Sequence, residues 1–488
     1  MLAGWPAMLL GFICLELISY AAFPHLWLSR IAFALIVAAA AYLTAKKIEY
    51  GAYLLLAELA VGGFGYLISF PIAGGRISMR LGLFGAVILV WLVKSFRQGD
   101  YGWIRDRRLI PLASFFAVAA IAVANGFLSG RPAGQIFSDF NGYLYFAAIG
   151  LFLAVGLKPA KSLQIILAGS FVLGVKTLAV LYIFSHGYAV VGPSLAYHWI
   201  RDTGIGEISL INAPLYRIFF QSHFYNLLAL ISAAFILLVG PKEDGNSILN
   251  IISRSRIAKA LLWFIAWFNF FILVVSQSRS FWVAGLATLV FVLPAAAMHY
   301  RISFKRIAAY LLMIPAFAII SNFAGQAVVG NYSIDFFSGR VNHADKQAGV
   351  SSRMAELAPA FQLIGQAPLL GHGFGATVRF RSDDPRIKNE SNPEGWTDAV
   401  NIEWGYLDLA VKAGLLGLAA YLSFLLCLAW SLFASALKEN KLAASLFIGL
   451  AALMIVHMFT PYLNHPLGIG YILLIFGLMK KFDCKPIC

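Results

Sequence analysis

The sequence predicts an all-α, polytopic integral membrane protein with about fourteen transmembrane helices. Three observations carry this prediction: 60% of the 488 residues are hydrophobic, only 12% are charged, and long apolar runs recur along the whole chain. Soluble domains carry about 25% charged residues, and a run of about 20 apolar residues can cross a hydrocarbon core of ~30 Å as a helix. Strands are not expected in lipid, because an open sheet edge leaves backbone groups unsatisfied.

The apolar runs set the predicted order of the elements. The first run lacks a basic start and an evident cleavage site, so it is predicted to be a span and not a signal peptide. The fourteen predicted spans are roughly 5–23, 26–45, 51–70, 77–95, 109–127, 140–157, 163–184, 219–240, 260–276, 280–298, 307–322, 407–433, 442–459 and 466–479.

These spans divide the chain into five parts, with a long outer loop before the twelfth span. The predicted parts are an N-terminal bundle (1–184), an outer loop (185–218), spans eight to eleven (219–322), a large outer loop (323–406), and the C-terminal helices with their tail (407–488).

The basic residues predict the orientation. Seven loop and tail segments on one side of the predicted membrane hold 21 of the 37 lysines and arginines. The positive-inside rule makes this side cytoplasmic and places both termini there. The net charge of +15 is then explained by basic loops that face membrane lipid, and no nucleic-acid partner is predicted.

The sixteen remaining basic residues are twelve arginines and four lysines. Arginine presents a planar fork of donors that matches phosphate or carboxylate. This bias predicts an outer-face cavity for an anionic ligand, with chance and snorkelling at the interface as the alternative.

Two arginines lie where the chain meets the outer boundary. Arg279 stands in "SQSRSFW", between two predicted spans with almost no loop. Arg217 stands in "PLYRIFFQSHFYN", where the first outer loop re-enters the membrane. Each is either an interfacial anchor or a phosphate ligand.

The segment "SSRMAELAPAFQLIG" at 351–365 predicts a short amphipathic helix in the large outer loop. Met354 and Phe361 share a face that would lie on the bilayer or cover a cavity. Arg353 falls in the first turn, where the helix dipole disfavours a cation, so a nearby anion is expected.

The next segment, "APLLGHGFG" at 367–375, carries three alternate glycines. No strand precedes it, so a dinucleotide-binding loop is rejected, and the glycines are expected to let the backbone turn closely against a neighbour. His372 is either a ligand contact or an exposed loop histidine. "SDDP" at 382–385 is predicted to be a polar turn in preference to a divalent-cation site.

Several charges lie within or beside predicted spans, where each costs about 2.5–3.5 kcal/mol at the bilayer centre. Glu16, Glu58 and Lys176 are therefore expected to face the bundle interior and to pair. Asp408 and Lys412 are four residues apart and are expected to pair along one helix.

Four segments together resemble the bacterial O-antigen polymerase and O-antigen ligase superfamily. They are "RIFFQSHFYNLLAL", "SQSRSFWVAGL", "SSRMAELAPAFQLIGQAPLLGHGFG" and "EWGYLDLAVKAGLLGL", within about 215–480. The resemblance implies a GT-C-like glycosyltransferase of the bacterial inner membrane, which acts at the periplasmic face on glycans attached to undecaprenyl diphosphate. It also implies that no nucleotide sugar, metal or other cofactor is needed.

The resemblance also implies roles for individual residues. Arg279 and Arg353 fall on the arginines that hold the diphosphate, and Arg217 is a weaker match. Glu403 stands where the ligase branch has its general-base histidine, and its base strength would have to be raised by partial burial. Tyr406 falls on the tyrosine of the same motif and, like Arg217 and His372, is assigned to substrate binding.

The predicted function is that of a polysaccharide polymerase that joins lipid-linked repeat units, with a chain-length regulator as a further partner. One alternative is a ligase that moves finished glycan onto lipid A core or protein. Another is a transporter or flippase, which the charges within the spans would suit, although no internal repeat of the kind common in transporters is found.

Overall fold

The computed structural model describes residues 4–72, 75–240, 256–337, 351–384 and 387–479, and α-helices dominate these residues. In chain order, α1 to α18 are Trp5–Ala22, Leu26–Lys46, Ile48–Val61, Met79–Gln98, Ile110–Leu128, Ala133–Phe140, Ile149–Val155, Pro159–Ser185, Leu195–Asp202, His223–Val239, Arg256–Ser276, Arg279–Ala287, Leu293–His299, Phe304–Val329, Leu357–Gln366, Gly405–Leu437, Lys441–Phe459 and Pro466–Met479. A helical stretch at 351–355 precedes α15.

The fold class of a polytopic, all-α membrane protein is confirmed. Within the described residues, eleven helical segments are long and apolar enough to cross a membrane; two of them, Ala133–Val155 and Arg279–His299, each join two of the listed helices, α6 with α7 and α12 with α13. Two more, α10 and α18, are apolar but shorter. The third predicted span, 51–70, is helical only as far as Val61. The count of fourteen spans and the GT-C-like arrangement therefore stay predictions.

Three antiparallel hairpins interrupt the helices, and the sequence analysis did not predict them. They pair β1 (Ser69–Ile72) with β2 (Gly75–Ser78), β3 (Gly206–Asn212) with β4 (Leu215–Phe220), and β5 (Val378–Arg381) with β6 (Trp396–Ala399). Each lies in a connection between helices, and the expectation that strands avoid lipid stays a prediction. The first two hairpins do shorten the predicted spans, because residues 69–70, 77–78 and 219–220 are extended.

The charges predicted to pair inside the bundle do so. Lys176 Nζ lies 2.7 Å from Glu16 Oε2, and Glu58 receives two hydrogen bonds from the guanidinium of Arg80 at 2.9 and 3.0 Å. Glu16, Glu58 and Arg80 are buried, and the side chain of Lys176 is only 8% exposed. Arg80 was not foreseen as the partner, since it lies 22 residues away on another helix.

Helix α16 is broken at Gly414, which has φ 67° and ψ −175°. The glycine loop, residues 367–375, occupies the break and replaces the lost helical hydrogen bonds. The N–H of Leu415 donates to Pro368 O at 2.8 Å, and the N–H of Gly373 donates to Lys412 O at 2.9 Å. A Cβ on Gly414 would lie 2.2 Å from Leu369 O. The expected close approach of glycine backbone to a neighbour is thus confirmed.

Candidate active site

Arg353 and Glu403, fifty residues apart in sequence, form an ion pair between Nε and Oε2. Arg353 lies in the helical stretch 351–355, and Glu403 lies two residues before α16. The two side chains are 40% and 46% exposed. The pair is therefore open to an incoming ligand, and solvent screens it strongly.

Two hydrogen bonds fix the backbone around this pair. The N–H of Glu403 donates to Glu356 Oε2 at 3.3 Å, and Trp404 Nε1–H donates to Arg353 O at 2.9 Å. Both charged residues are therefore attached at their main chains, while their charged ends stay accessible. Because their main chains are already held in place, the side chains of Arg353 and Glu403 need little further ordering before they act on a ligand.

Glu356 is a site residue that the sequence analysis missed. It is buried, and burial raises its pKa to about 7, helped by the neighbouring charge of Glu403 and opposed by Arg353 and the hydrogen bond from Glu403. Glu403 is only partly buried, as expected, with its side chain 46% exposed, whereas Glu356 is buried. One signal was present in the sequence: Glu356 follows Arg353 by three residues, the spacing of neighbours on a helix.

Glu356 predicts a pH-dependent stability. Its folded-state pKa of about 7 lies above the ordinary 4.5, so the folded protein binds more protons between these values. The stabilisation that the protonated Glu356 gives the folded state is complete below about pH 4.5 and is lost as the pH rises through about 7. We expect the thermal midpoint in detergent to fall between pH 5 and pH 8, and Glu356→Gln to flatten this decline. Glu394 is an exposed carboxylate between α15 and α16, and Glu394→Gln should leave the decline unchanged. Equal slopes for wild type and Glu356→Gln would contradict the assignment.

Arg279 is the first residue of α12, directly after a serine-rich turn. Gln277 adopts φ 51° in this turn, and Ser280 Oγ accepts a hydrogen bond from Thr460 Oγ1 at 3.3 Å. Arg279 is half-buried and lies within electrostatic range of Arg353. Two guanidinium groups that repel each other favour an anion near both.

Arg217 lies on β4 and adjoins the same turn. Its Nε donates to Ser276 O at 3.3 Å, and its Nη1 lies 3.1 Å from Glu207 Oε2. The guanidinium also packs 4.8 Å from the ring centre of Phe219. Arg217 therefore borders the turn that carries Arg279, with Glu207 as a counter-ion already in place.

His372 and Tyr406 are not brought to the Arg353–Glu403 pair. His372 Nε2 lies 2.8 Å from Leu363 O, near the end of α15, so this residue is half-buried and not an exposed loop histidine. Tyr406 OH donates to Met454 O at 3.2 Å. Both side chains support packing between elements here, and their role in substrate binding stays a prediction.

Within the described ranges, no three His, Cys, Asp or Glu side chains form a group that could hold a metal ion. In "SDDP", Asp383 pairs with Lys388 at 2.7 Å, and the N–H of Asp384 donates to Ser382 Oγ at 3.1 Å. Pro385 lies outside the described residues. These contacts agree with the predicted polar turn.

One comparison bears directly on this site. Residues 264–422 match the model of the family described as O-antigen ligase. The matched region includes Arg279, Arg353 and Glu403, and it supports the O-antigen ligase and polymerase superfamily that the four sequence segments predicted. No curated protein matches the chain.

Proposed function

We propose, from the premise that residues 264–422 carry the features of the O-antigen ligase and polymerase superfamily, that this protein is a polysaccharide polymerase. It would join repeat units linked to undecaprenyl diphosphate at the periplasmic face of the inner membrane, with both termini in the cytoplasm. The observation that carries the proposal is the accessible Arg353–Glu403 pair with Arg279 in electrostatic range.

Donor binding is the first step of the proposed reaction. The diphosphate of the lipid-linked glycan binds between Arg279 and Arg353, where its negative charge relieves the repulsion between the two guanidinium groups. Because Arg353 pairs with Glu403, the diphosphate competes with that carboxylate. Donor binding therefore frees Glu403, and the two arginines supply the positive charge without a metal or another cofactor.

Glycosyl transfer follows once the acceptor, a second lipid-linked repeat unit, has bound. The carboxylate of Glu403 takes the proton of the acceptor hydroxyl, and the acceptor oxygen forms a bond to the anomeric carbon of the donor. The bond from that carbon to the diphosphate oxygen breaks, and its electron pair leaves with undecaprenyl diphosphate. Arg279 and Arg353 stabilise the charge that develops on the leaving group.

The polymerase is favoured over the ligase because Glu403 replaces the histidine of the ligase branch and two long segments are predicted to lie on the outer side. A transporter is less well supported. The charges that would suit a transport path are engaged in the structure, since Glu16 pairs with Lys176 and Glu58 with Arg80.

Reconstitution tests the proposal. Purified protein in liposomes receives the undecaprenyl-diphosphate-linked repeat unit, without nucleotide sugar and with EDTA. We expect a ladder of lengthened lipid-linked glycans, measured by electrophoresis, with a broad length distribution when no chain-length regulator is added. Transfer only to added lipid A core or protein would indicate a ligase, and movement across the bilayer without lengthening would indicate a transporter.

A further inference from the structure

Three buried charges lie together beside the candidate site. Lys412, on α16, places its Nζ 2.6 Å from Asp408 Oδ1 and against Asp139 Oδ1, in the last turn of α6. The side chains of Lys412, Asp139 and Asp408 are 1%, 2% and 8% exposed. We call these residues the buried triad; the sequence analysis expected only the pair within α16.

The triad also binds backbone on both sides of it. Asp408 Oδ1 accepts the N–H of Ile402 at 3.1 Å, and Asp139 Oδ2 accepts the N–H of Gly375 at 2.8 Å. Ile402 immediately precedes Glu403, and Gly375 ends the glycine loop. The triad thus connects the segment that carries Glu403 to the loop that fills the break in α16.

The position of Lys412 strengthens this connection. It lies two residues before Gly414, and its own carbonyl accepts the N–H of Gly373. Apolar side chains of similar volume usually fill a buried space at equal or lower free-energy cost than an ion pair does. Packing alone therefore does not require three charged residues here. The N–H groups of Ile402 and Gly375 do require hydrogen-bond acceptors, and Asp408 and Asp139 provide them.

We propose that the buried triad is a positioning element of the glycosyl-transfer site. It holds Ile402, and through it Glu403, in fixed register with Arg353, and it makes no contact with substrate. This inference rests on the proposed function. Glu356 and Trp404 hold Glu403 and Arg353 from the outer side, and the triad holds the same segment from the buried side.

The first test removes the charges together. Asp139→Leu, Asp408→Leu and Lys412→Met are combined, so that no uncompensated buried charge remains. We expect the fold to be retained with a lowered thermal midpoint, because the buried N–H groups of Ile402 and Gly375 lose their acceptors. Deuterium exchange in the peptide that spans residues 400–404 should rise, because the hydrogen bond from the N–H of Ile402 to Asp408 is lost. The hydrogen bonds that link this peptide to Glu356 and Arg353 remain.

The second readout of the same variant is kinetic. We expect kcat to fall by about 100-fold, the scale on which small misplacements of reacting groups act, while KM for the lipid-linked donor changes less than about threefold. Asp408→Asn keeps one oxygen that can accept the N–H of Ile402 and should recover part of kcat. Loss of binding and turnover together would indicate general disruption instead.

Glu16→Leu with Lys176→Met is the matched control. This ion pair is also buried, with side chains 10% and 8% exposed, but no bond joins it to residues 402–404 in the described structure. It should leave exchange at 400–404 and kcat near wild type. Unchanged exchange and kcat in the folded triple variant would overturn the inference. Failure of the proposed function is separate, because it would appear in the wild-type protein as transfer only to lipid A core or protein, or as movement across the bilayer without lengthening.

Discussion

Glu403→Gln is expected to lower the rate of glycan transfer by about 10²–10⁴-fold, the usual contribution of a general base. Glutamine has the shape of glutamate but cannot take the acceptor proton. Its backbone N–H can still donate to Glu356, as it does in the native structure, so the segment should keep its place. The measurement is the initial rate of lengthening in liposomes at saturating donor.

The same variant should keep or increase its affinity for pyrophosphate, used as a probe of the diphosphate site. In the native protein Arg353 is paired with Glu403, and the bound anion must displace that carboxylate. Glu403→Gln removes this competitor, so it should lower the rate of transfer without lowering the affinity for pyrophosphate. A general structural defect would lower both.

Glu394→Gln is the matched control, because Glu394 is an exposed carboxylate between α15 and α16 and is not part of the site. It should transfer glycan at the wild-type rate. A wild-type rate in Glu403→Gln would remove Glu403 from the mechanism and leave Glu356 as the nearest alternative base. A fall in pyrophosphate affinity would contradict the competition between diphosphate and Glu403.

The sequence predicted the fold class well, because hydropathy over some 20 residues is a local property that does not depend on tertiary contacts. It predicted the ends of spans less well. The β3–β4 hairpin shows why: the predicted span 219–240 begins with Phe219 and Phe220, yet these residues end β4 and pair with β3. Whether such an apolar segment forms a strand or a helix depends on its tertiary pairing, which hydropathy does not reveal.

The site could be assembled from sequence only through the family resemblance. Sequence spacing alone does not predict that Arg353 contacts Glu403, because the fifty residues that separate them show no periodic pattern. The burial of Glu356 follows from packing against α16 and could not be read locally. The buried triad is the extreme case, since Lys412 and Asp139 are 273 residues apart.

Arg353→Ala and Arg279→Ala are each expected to reduce kcat by about 10²–10³-fold, the cost of removing one donor from a developing oxyanion. Unfolding should not explain the loss at Arg353. Its ion pair is about half exposed, and such pairs contribute ~0–1 kcal/mol to stability. Lysine at either position should recover only part of the rate, because it lacks the planar fork that holds two phosphate oxygens.

The double variant Arg279→Ala with Arg353→Ala tests whether the two arginines bind the same diphosphate. If Arg279 and Arg353 hold one diphosphate, their effects on pyrophosphate affinity should be non-additive, as for residues that share a ligand. Arg379→Ala is the control: this exposed arginine lies on β5 and packs on Trp396, and its loss should leave affinity and kcat near wild type. Additive effects of Arg279→Ala and Arg353→Ala would place the two arginines at separate anions, and wild-type kcat in both would remove electrostatic stabilisation by arginine from the reaction.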